Sequence, residues 1–300
     1  MGKIKQFGIL LPLFFAQAVA AANPPVHLKY EQIDERILIV VQNNGPVPVS
    51  VRADLSHAAN VISNRSWPIY QVVQPNSKQI LASLSAADQA QTIRFKTSMD
   101  SVPGLFDAAP DSQALYRLPY QDGSTYAIGQ APGGSRTTHT VPVNWHAVDF
   151  QMPEGAAVVA ARDGVVVQTE DRFSAGGKHA HLADKANYVR ILHADGTTAM
   201  YAHLRHQGVT VMPGQAVKAG TLIGYSGSTG YSGGPHLHFA VTHLVKDEHG
   251  FNDVSIPVSF YSGNPAQVFQ ARRGLQVKAD YSTARDESVI SYADKGKAQQ

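Results

Sequence analysis

The chain of 300 residues contains no cysteine. That absence excludes disulfides, thiolate zinc fingers, iron–sulfur clusters, a cysteine nucleophile and a lipid-anchored cysteine. Charge is scarce as well, at 16% of residues. Two of the 25 bases, Lys3 and Lys5, stand in the first 22 residues without an acid, leaving 23 bases against 23 acids in the remainder. A neutral body without a long basic run argues against nucleic acid or an anionic membrane surface as a partner. Beyond the first 22 residues no stretch approaches the roughly 18 consecutive apolar residues of a membrane-spanning helix. No His-Glu-x-x-His occurs, which removes the helical zinc-protease arrangement.

What is present is 43% hydrophobic residues with 25 Gly and 17 Pro, the composition of an ordered, turn-rich chain of one large or two ordinary domains. Met1–Ala22 reads as an export signal: Lys3 and Lys5, an apolar core from Phe7 to Phe15, then small residues at Ala18, Ala20 and Ala22. The apolar run is too short to span a bilayer, so the expectation is a periplasmic or secreted protein with no membrane insertion after signal removal. From Val26 to about Thr97 the chain shows short β-type runs at Arg36–Gln42, Val47–Leu55, Ile69–Val73, Gln79–Leu81 and Thr92–Thr97. Asn43-Asn44-Gly45 carries hairpin turn chemistry between the first two. The spacing predicts an immunoglobulin-like β-sandwich and linker over residues 23–113, the linker being the Pro- and Asp-rich Ser98–Gln113. A second β-rich domain is expected over 114–275, with strands at Ala156–Ala161, Val165–Thr169, Tyr188–His193, Thr198–His203 and Leu237–Val241, and a flexible polar tail over 276–300.

Eleven of the thirteen histidines lie between His139 and His249; His27 and His57 stand apart. In a chain without cysteine this clustering points to a His/carboxylate site. Its most specific element is Gly233-Gly234-Pro235-His236-Leu237-His238-Phe239, because two histidines at i and i+2 of a strand project from one face. A second triplet, His179-Ala180-His181, lies in the loop-like insertion Phe173–Asn187, where ligands lack a rigid scaffold. His193, His206, His243 and His249 read as surface residues.

Taken in order, several segments resemble the LytM/lysostaphin-type zinc metallopeptidase family. They are Ala147-Val148-Asp149-Phe150, Met152-Pro153-Glu154-Gly155, Val158 to Val166, Tyr201-Ala202-His203-Leu204, Gly214 to Gly220, Ile223 to Gly230 and the closing Gly-Pro-His-Leu-His-Phe run. The resemblance covers roughly Tyr126 to Val241. It implies a mostly β fold, here a LytM/lysostaphin-like β-sheet domain behind the sandwich, and a Zn2+ held by a histidine, Asp149 and His238. Many members place the first histidine four residues before the aspartate, where this chain has Trp145. His139 and His146 are the two candidates. A subset of the family resembles this chain in having a Ser/Thr-His followed by an insertion, and in a strand His146 faces away from Asp149, so His139 is preferred. By the same resemblance His203 and His236 are the non-ligand histidines that move the proton and stabilise the oxyanion, and the substrate is the peptide cross-bridge of peptidoglycan, with its peptide stems as partners. Activity is expected to fall below roughly pH 6 as imidazoles become protonated. Two other classes compete. A noncatalytic activator of cell-wall amidases is marked by missing ligands, whereas every ligand type is present here. A lipoyl- or biotinyl-type carrier needs a modified Lys185.

Overall fold

The computed structural model describes residues 26–134, 137–263 and 265–281. The expected export signal, Met1–Ala22, lies outside the described residues. Among the described residues the regular structure is β-strand apart from one short 3-10 turn at Ala180–Leu182. No helix among them is long and apolar enough to cross a membrane.

Seven strands build the first half: β1 (Val26–Ile33), β2 (Arg36–Asn43), β3 (Val49–Ala59), β4 (Val61–Ser63), β5 (Ile69–Val73), β6 (Ser77–Ala86) and β7 (Arg94–Pro103). They form two antiparallel sheets, β1-β2-β6-β4 and β5-β3-β7. Val49, Val51 and Ala53 alternate along β3 and meet Ile39, Val41, Leu81 and Leu84 of the other sheet in one buried cluster. The hairpin expected at Asn43-Asn44-Gly45 does not form, because β2 pairs with β1 and β6 while β3 lies in the opposite sheet. Pro46 and Pro48 follow that turn and cannot donate to a ladder, so the chain crosses between sheets. Buried Asn43 ties the corner, its side-chain N–H reaching the Val47, Val73 and Gln74 carbonyls at 2.8, 3.2 and 3.1 Å. Strand β7 runs to Pro103, so the connecting segment starts at Gly104, later than the Ser98 read from composition.

The second half opens with β8 (Leu115–Arg117), β9 (Thr125–Gln130), β10 (Val148–Gln151), β11 (Ala157–Val159) and β12 (Gly164–Glu170). It continues with β13 (Gly176–Gly177), β14 (Asn187–Leu192), β15 (Thr198–Val209), β16 (Ala216–Val217), β17 (Leu222–Ser226) and β18 (Gly230–Tyr231). Last come β19 (Leu237–Asp247), β20 (Gly250–Ser255), β21 (Ser259–Ser262), β22 (Gln267–Gln270) and β23 (Gln276–Lys278). The main sheet runs β16-β12-β14-β15-β19-β10-β9-β23, with β11, β17 and β20 attached to it. On its core face Phe150, Tyr201 and Phe239 are fully buried, the last two rings in edge contact at 5.2 Å. Because side chains alternate, the neighbours Asp149 and His238 emerge on the opposite face. The tail expected over 276–300 is not borne out at its start, where β23 pairs with β9 and Val277, Ala279 and Tyr281 are buried; its remainder, 282–300, lies outside the described residues. A polar composition hid the period-2 burial of these three.

The two halves touch where Val47 packs against Val167 and Leu192, and where the Tyr70 hydroxyl donates to the Asp247 carbonyl at 2.6 Å beside Phe106 and Phe251. Asp247 ends β19, in which His238 is the second residue, roughly 30 Å away at the rise of a strand. The sandwich therefore rests on the end of the sheet remote from His238.

His193, read above as a surface residue, is 2% exposed. It lies against the Tyr116 ring at 5.6 Å, and its Nδ1–H donates to the Asp163 carbonyl at 2.7 Å. Burial pushes its pKa down from 6.5 to about 4. Between those values the unfolded chain takes up a proton that the folded protein refuses, so stability falls as pH drops from about 6.5 to about 4 and this residue adds no further loss below that. The span corresponds to about 3 kcal/mol. Urea unfolding at neutral pH and near the lower value should show His193→Gln, which can still donate to Asp163 but does not titrate, losing less stability than the unaltered chain; an equal loss would contradict this.

Candidate metal centre

Strands β9, β10, β19 and β15 lie side by side, and one cross-strand row carries the site: Gln130 opposite Asp149, Asp149 opposite His238, His238 opposite Ala202. The seventeen-residue connection from β9 to β10 brings His139 over this row. His139 Nε2 lies 3.2 Å from Asp149 Oδ1, and His238 Nδ1 lies 3.0 Å from the same oxygen. Donor atoms of His139, Asp149 and His238 all fall within 4.8 Å of one another. Burial opposes ionisation of Asp149, but hydrogen bonds and charge interactions with His139 and His238 outweigh it and hold the carboxyl well below the usual carboxylate range.

His203 reaches the site by a departure from strand geometry. Its neighbour Ala202 is the residue opposite His238, so regular alternation turns position 203 to the other face. Instead His203 has φ of 64°, a left-handed conformation, where the pairing of β15 slips next to Leu204. Such an irregularity re-aims a side chain, and the His203 ring comes within 5.9 Å of the His238 ring and 4.6 Å of the His236 ring. His236 precedes β19, bridged to Gly227, with Nε2 3.9 Å from Asp149 Oδ2.

Hydrogen bonding fixes the tautomers of both. His203 Nδ1 faces the Thr229 carbonyl at 2.7 Å and His236 Nδ1 faces the Gly234 carbonyl at 2.8 Å. A carbonyl only accepts, so each Nδ1 carries the proton and each Nε2 keeps a lone pair. Burial, with the adjacent His236 and His238, pushes the His203 pKa down to about 3. His203 is thus neutral before any reaction begins, and protonation near pH 6 does not originate there.

The structure brings together five residues named from the sequence, His139, Asp149, His203, His236 and His238. His146 lies in a turn rather than a strand and lines a separate cavity of about 700 Å³ with Pro132, Val148 and Pro257. The strand-face argument against it therefore does not apply; its place in that cavity, outside the set of converging donors, does the same work. His179 and His181 are exposed and stack on each other at 5.6 Å. Their loop nevertheless shapes the site: β13 pairs with β18, and Lys178 lines a groove of about 460 Å³ with Tyr231, Asp149 and His236. Sequence reasoning missed Gln130, whose side-chain N–H donates to Asp149 Oδ2 at 2.6 Å; a lone glutamine at a strand end carries no motif.

Two imidazoles and one carboxylate converging from three directions suit zinc, which takes N and O donors in a tetrahedral set and leaves a position for water. An all-oxygen set, as magnesium or calcium prefers, is absent from the cluster. His139 Nδ1, buried without a partner, leaves Nε2 as the atom directed at the shared point.

The family profile described as peptidase family M23 matches residues 143–252. Asp149, His203, His236 and His238 fall inside that span and His139 four residues before it. The peptidoglycan DD-endopeptidase ShyA of Vibrio cholerae is 34% identical over 143 residues, 48% of this chain and 30% of that protein. The glycyl-glycine endopeptidase ALE-1 of Staphylococcus capitis is 41% identical over 97 residues, 32% of this chain and 24% of that protein. The solved structure of lysostaphin from Staphylococcus simulans is 32% identical, covers 43% of this chain and 47% of that chain, and superposes with a TM-score of 0.31. This chain spans less than half the length of the curated relatives it matches first. With a β-sheet domain and a His/Asp cluster on its open face, residues 143–252 are a peptidase family M23 domain.

Proposed function

We propose that the protein is a zinc-dependent endopeptidase that hydrolyses peptide cross-bridges of bacterial peptidoglycan, with His139, Asp149 and His238 as the ligands. The observation that carries this reading is the convergence of those three donors beside two imidazoles whose Nε2 atoms keep a lone pair. The names of the relatives, endopeptidases of peptidoglycan and of glycyl-glycine bonds, support the substrate class. Bound zinc supplies Lewis acidity that brings the pKa of a water ligand to about 7. His236 or His203 accepts the proton at Nε2, held in place by its Nδ1–H bond to the Gly234 or Thr229 carbonyl. The imidazole that has taken the proton presents an N–H to the oxygen that gains negative charge, or returns it to the leaving amine. Export to the periplasm or beyond follows from the signal-like start and from where peptidoglycan lies. The noncatalytic activator reading loses ground because no donor is missing.

Metal analysis of the ligand variants tests the assignment. His139→Ala is expected to lose zinc and the ability to reduce the turbidity of isolated cell walls, whereas His146→Ala keeps both. The reverse pattern would show that the first ligand is misassigned.

A further inference from the structure

Gln130, the last residue of β9, makes contacts on both sides of the site. Its side-chain N–H donates to Asp149 Oδ2 at 2.6 Å and reaches Thr138 Oγ1 at 3.1 Å. Its Oε1 accepts from the Thr138 backbone N–H at 2.7 Å and lies 3.3 Å from the Thr138 hydroxyl. Thr138 is exposed and directly precedes buried His139. One side chain thus holds one donor, Asp149, directly and the residue next to another, His139. Their remaining contacts divide accordingly: Oδ2 is engaged by Gln130, while Oδ1 is the oxygen that faces both His139 and His238.

We propose that Gln130 is a positioning residue of the metal site, locking Asp149 so that Oδ1 alone is offered to the ion and tethering the segment that carries His139 to the same carboxylate. This rests on the zinc assignment above. A carboxylate free to rotate presents either oxygen, so a donor on Oδ2 selects one orientation before the ion arrives. Connections longer than about 12–15 residues without strands or helices of their own are uncommon. The connection from β9 to β10 spans seventeen residues, and the Gln130–Thr138 pair ties Thr138, the neighbour of His139, back to the end of β9. Gln130 stands where β9 and β10 slip register at Asp149/Phe150, which lets its side chain run alongside the carboxylate. Outer partners of metal-ligating side chains typically carry about 10- to 100-fold in metal affinity.

Competition with a zinc chelator measures this without reference to peptide hydrolysis. Gln130→Leu, which keeps the size and removes the donor and acceptor, is expected to weaken zinc binding by about 10- to 100-fold, with the urea midpoint of the zinc-free protein little changed. Gln130→Asn, one methylene too short to span both partners, is expected to fall between, and provides the comparison if the leucine variant does not fold. Affinity within about twofold of the unaltered chain in both variants overturns the role of Gln130 and leaves the zinc site standing. Equal loss of zinc-free stability and zinc affinity makes the residue merely structural and likewise overturns it. An unaltered chain that binds no zinc overturns the ligand assignment, and this inference with it.

Discussion

Asp149→Ala is expected to purify without stoichiometric zinc and to hydrolyse peptidoglycan at least about a thousandfold more slowly than the unaltered chain, a loss of about 4 kcal/mol or more in barrier lowering. The size of the effect follows from geometry. Asp149 Oδ1 is the atom common to both imidazole contacts, at 3.2 Å from His139 and 3.0 Å from His238. Its removal leaves two imidazoles that share no anionic partner, and zinc sites with open positions rest on three protein ligands. His238→Ala is expected to do the same. Metal analysis on protein shown to be folded by circular dichroism, paired with a wall-hydrolysis assay, checks both. A fully active, zinc-loaded His238→Ala protein would sink the assignment.

His203→Ala and His236→Ala test the distinction between holding a metal and moving a proton. Both are expected to retain zinc while turnover falls by about a hundredfold or more, the scale of a general base or an oxyanion partner. The two Nδ1–H bonds to backbone carbonyls occupy the ring edge turned away from the cluster, leaving Nε2 toward it. The rings lie 4.6 Å apart, so the double variant is expected to cost less than the product of the two single losses. Zinc loss in both would make them ligating or structural residues. Unaltered turnover in both would leave the reaction without its proposed proton acceptor.

How far the site could be read from the sequence depended on whether a residue obeys strand alternation. His238 does: it sits in the β-type run Leu237–Val241, and the period of two sets it opposite the aromatic core at Phe239. Asp149 obeys the same alternation beside Phe150 in β10, but no strand is read there from the sequence and only the resemblance points to it. His203 does not, because its left-handed φ overrides the alternation that Ala202 follows. Only the resemblance of Tyr-Ala-His-Leu to a family motif pointed there. His139 sits outside any strand, so no periodicity could place it, and the argument that disfavoured His146 assumed a strand where the chain makes a turn. The Asn43 corner shows another limit. Turn chemistry signals a reversal, but whether the next strand joins the same sheet depends on Pro46, Pro48 and the carbonyls that Asn43 reaches across the core. Polar residues at Gln276, Lys278 and Asp280 masked the alternate burial of Val277, Ala279 and Tyr281, whose hydroxyl donates to the Tyr261 carbonyl at 2.7 Å.

Mass spectrometry of the fragments obtained from isolated peptidoglycan, treated with zinc-loaded protein or with protein stripped by a chelator, tests the central claim most directly. The account predicts that zinc-loaded protein alone converts cross-linked fragments into separate ones, each cleavage adding one water at a peptide bond, and that restoring zinc to the stripped protein restores the conversion. Cross-linked fragments left intact by folded protein with one zinc per chain would contradict it.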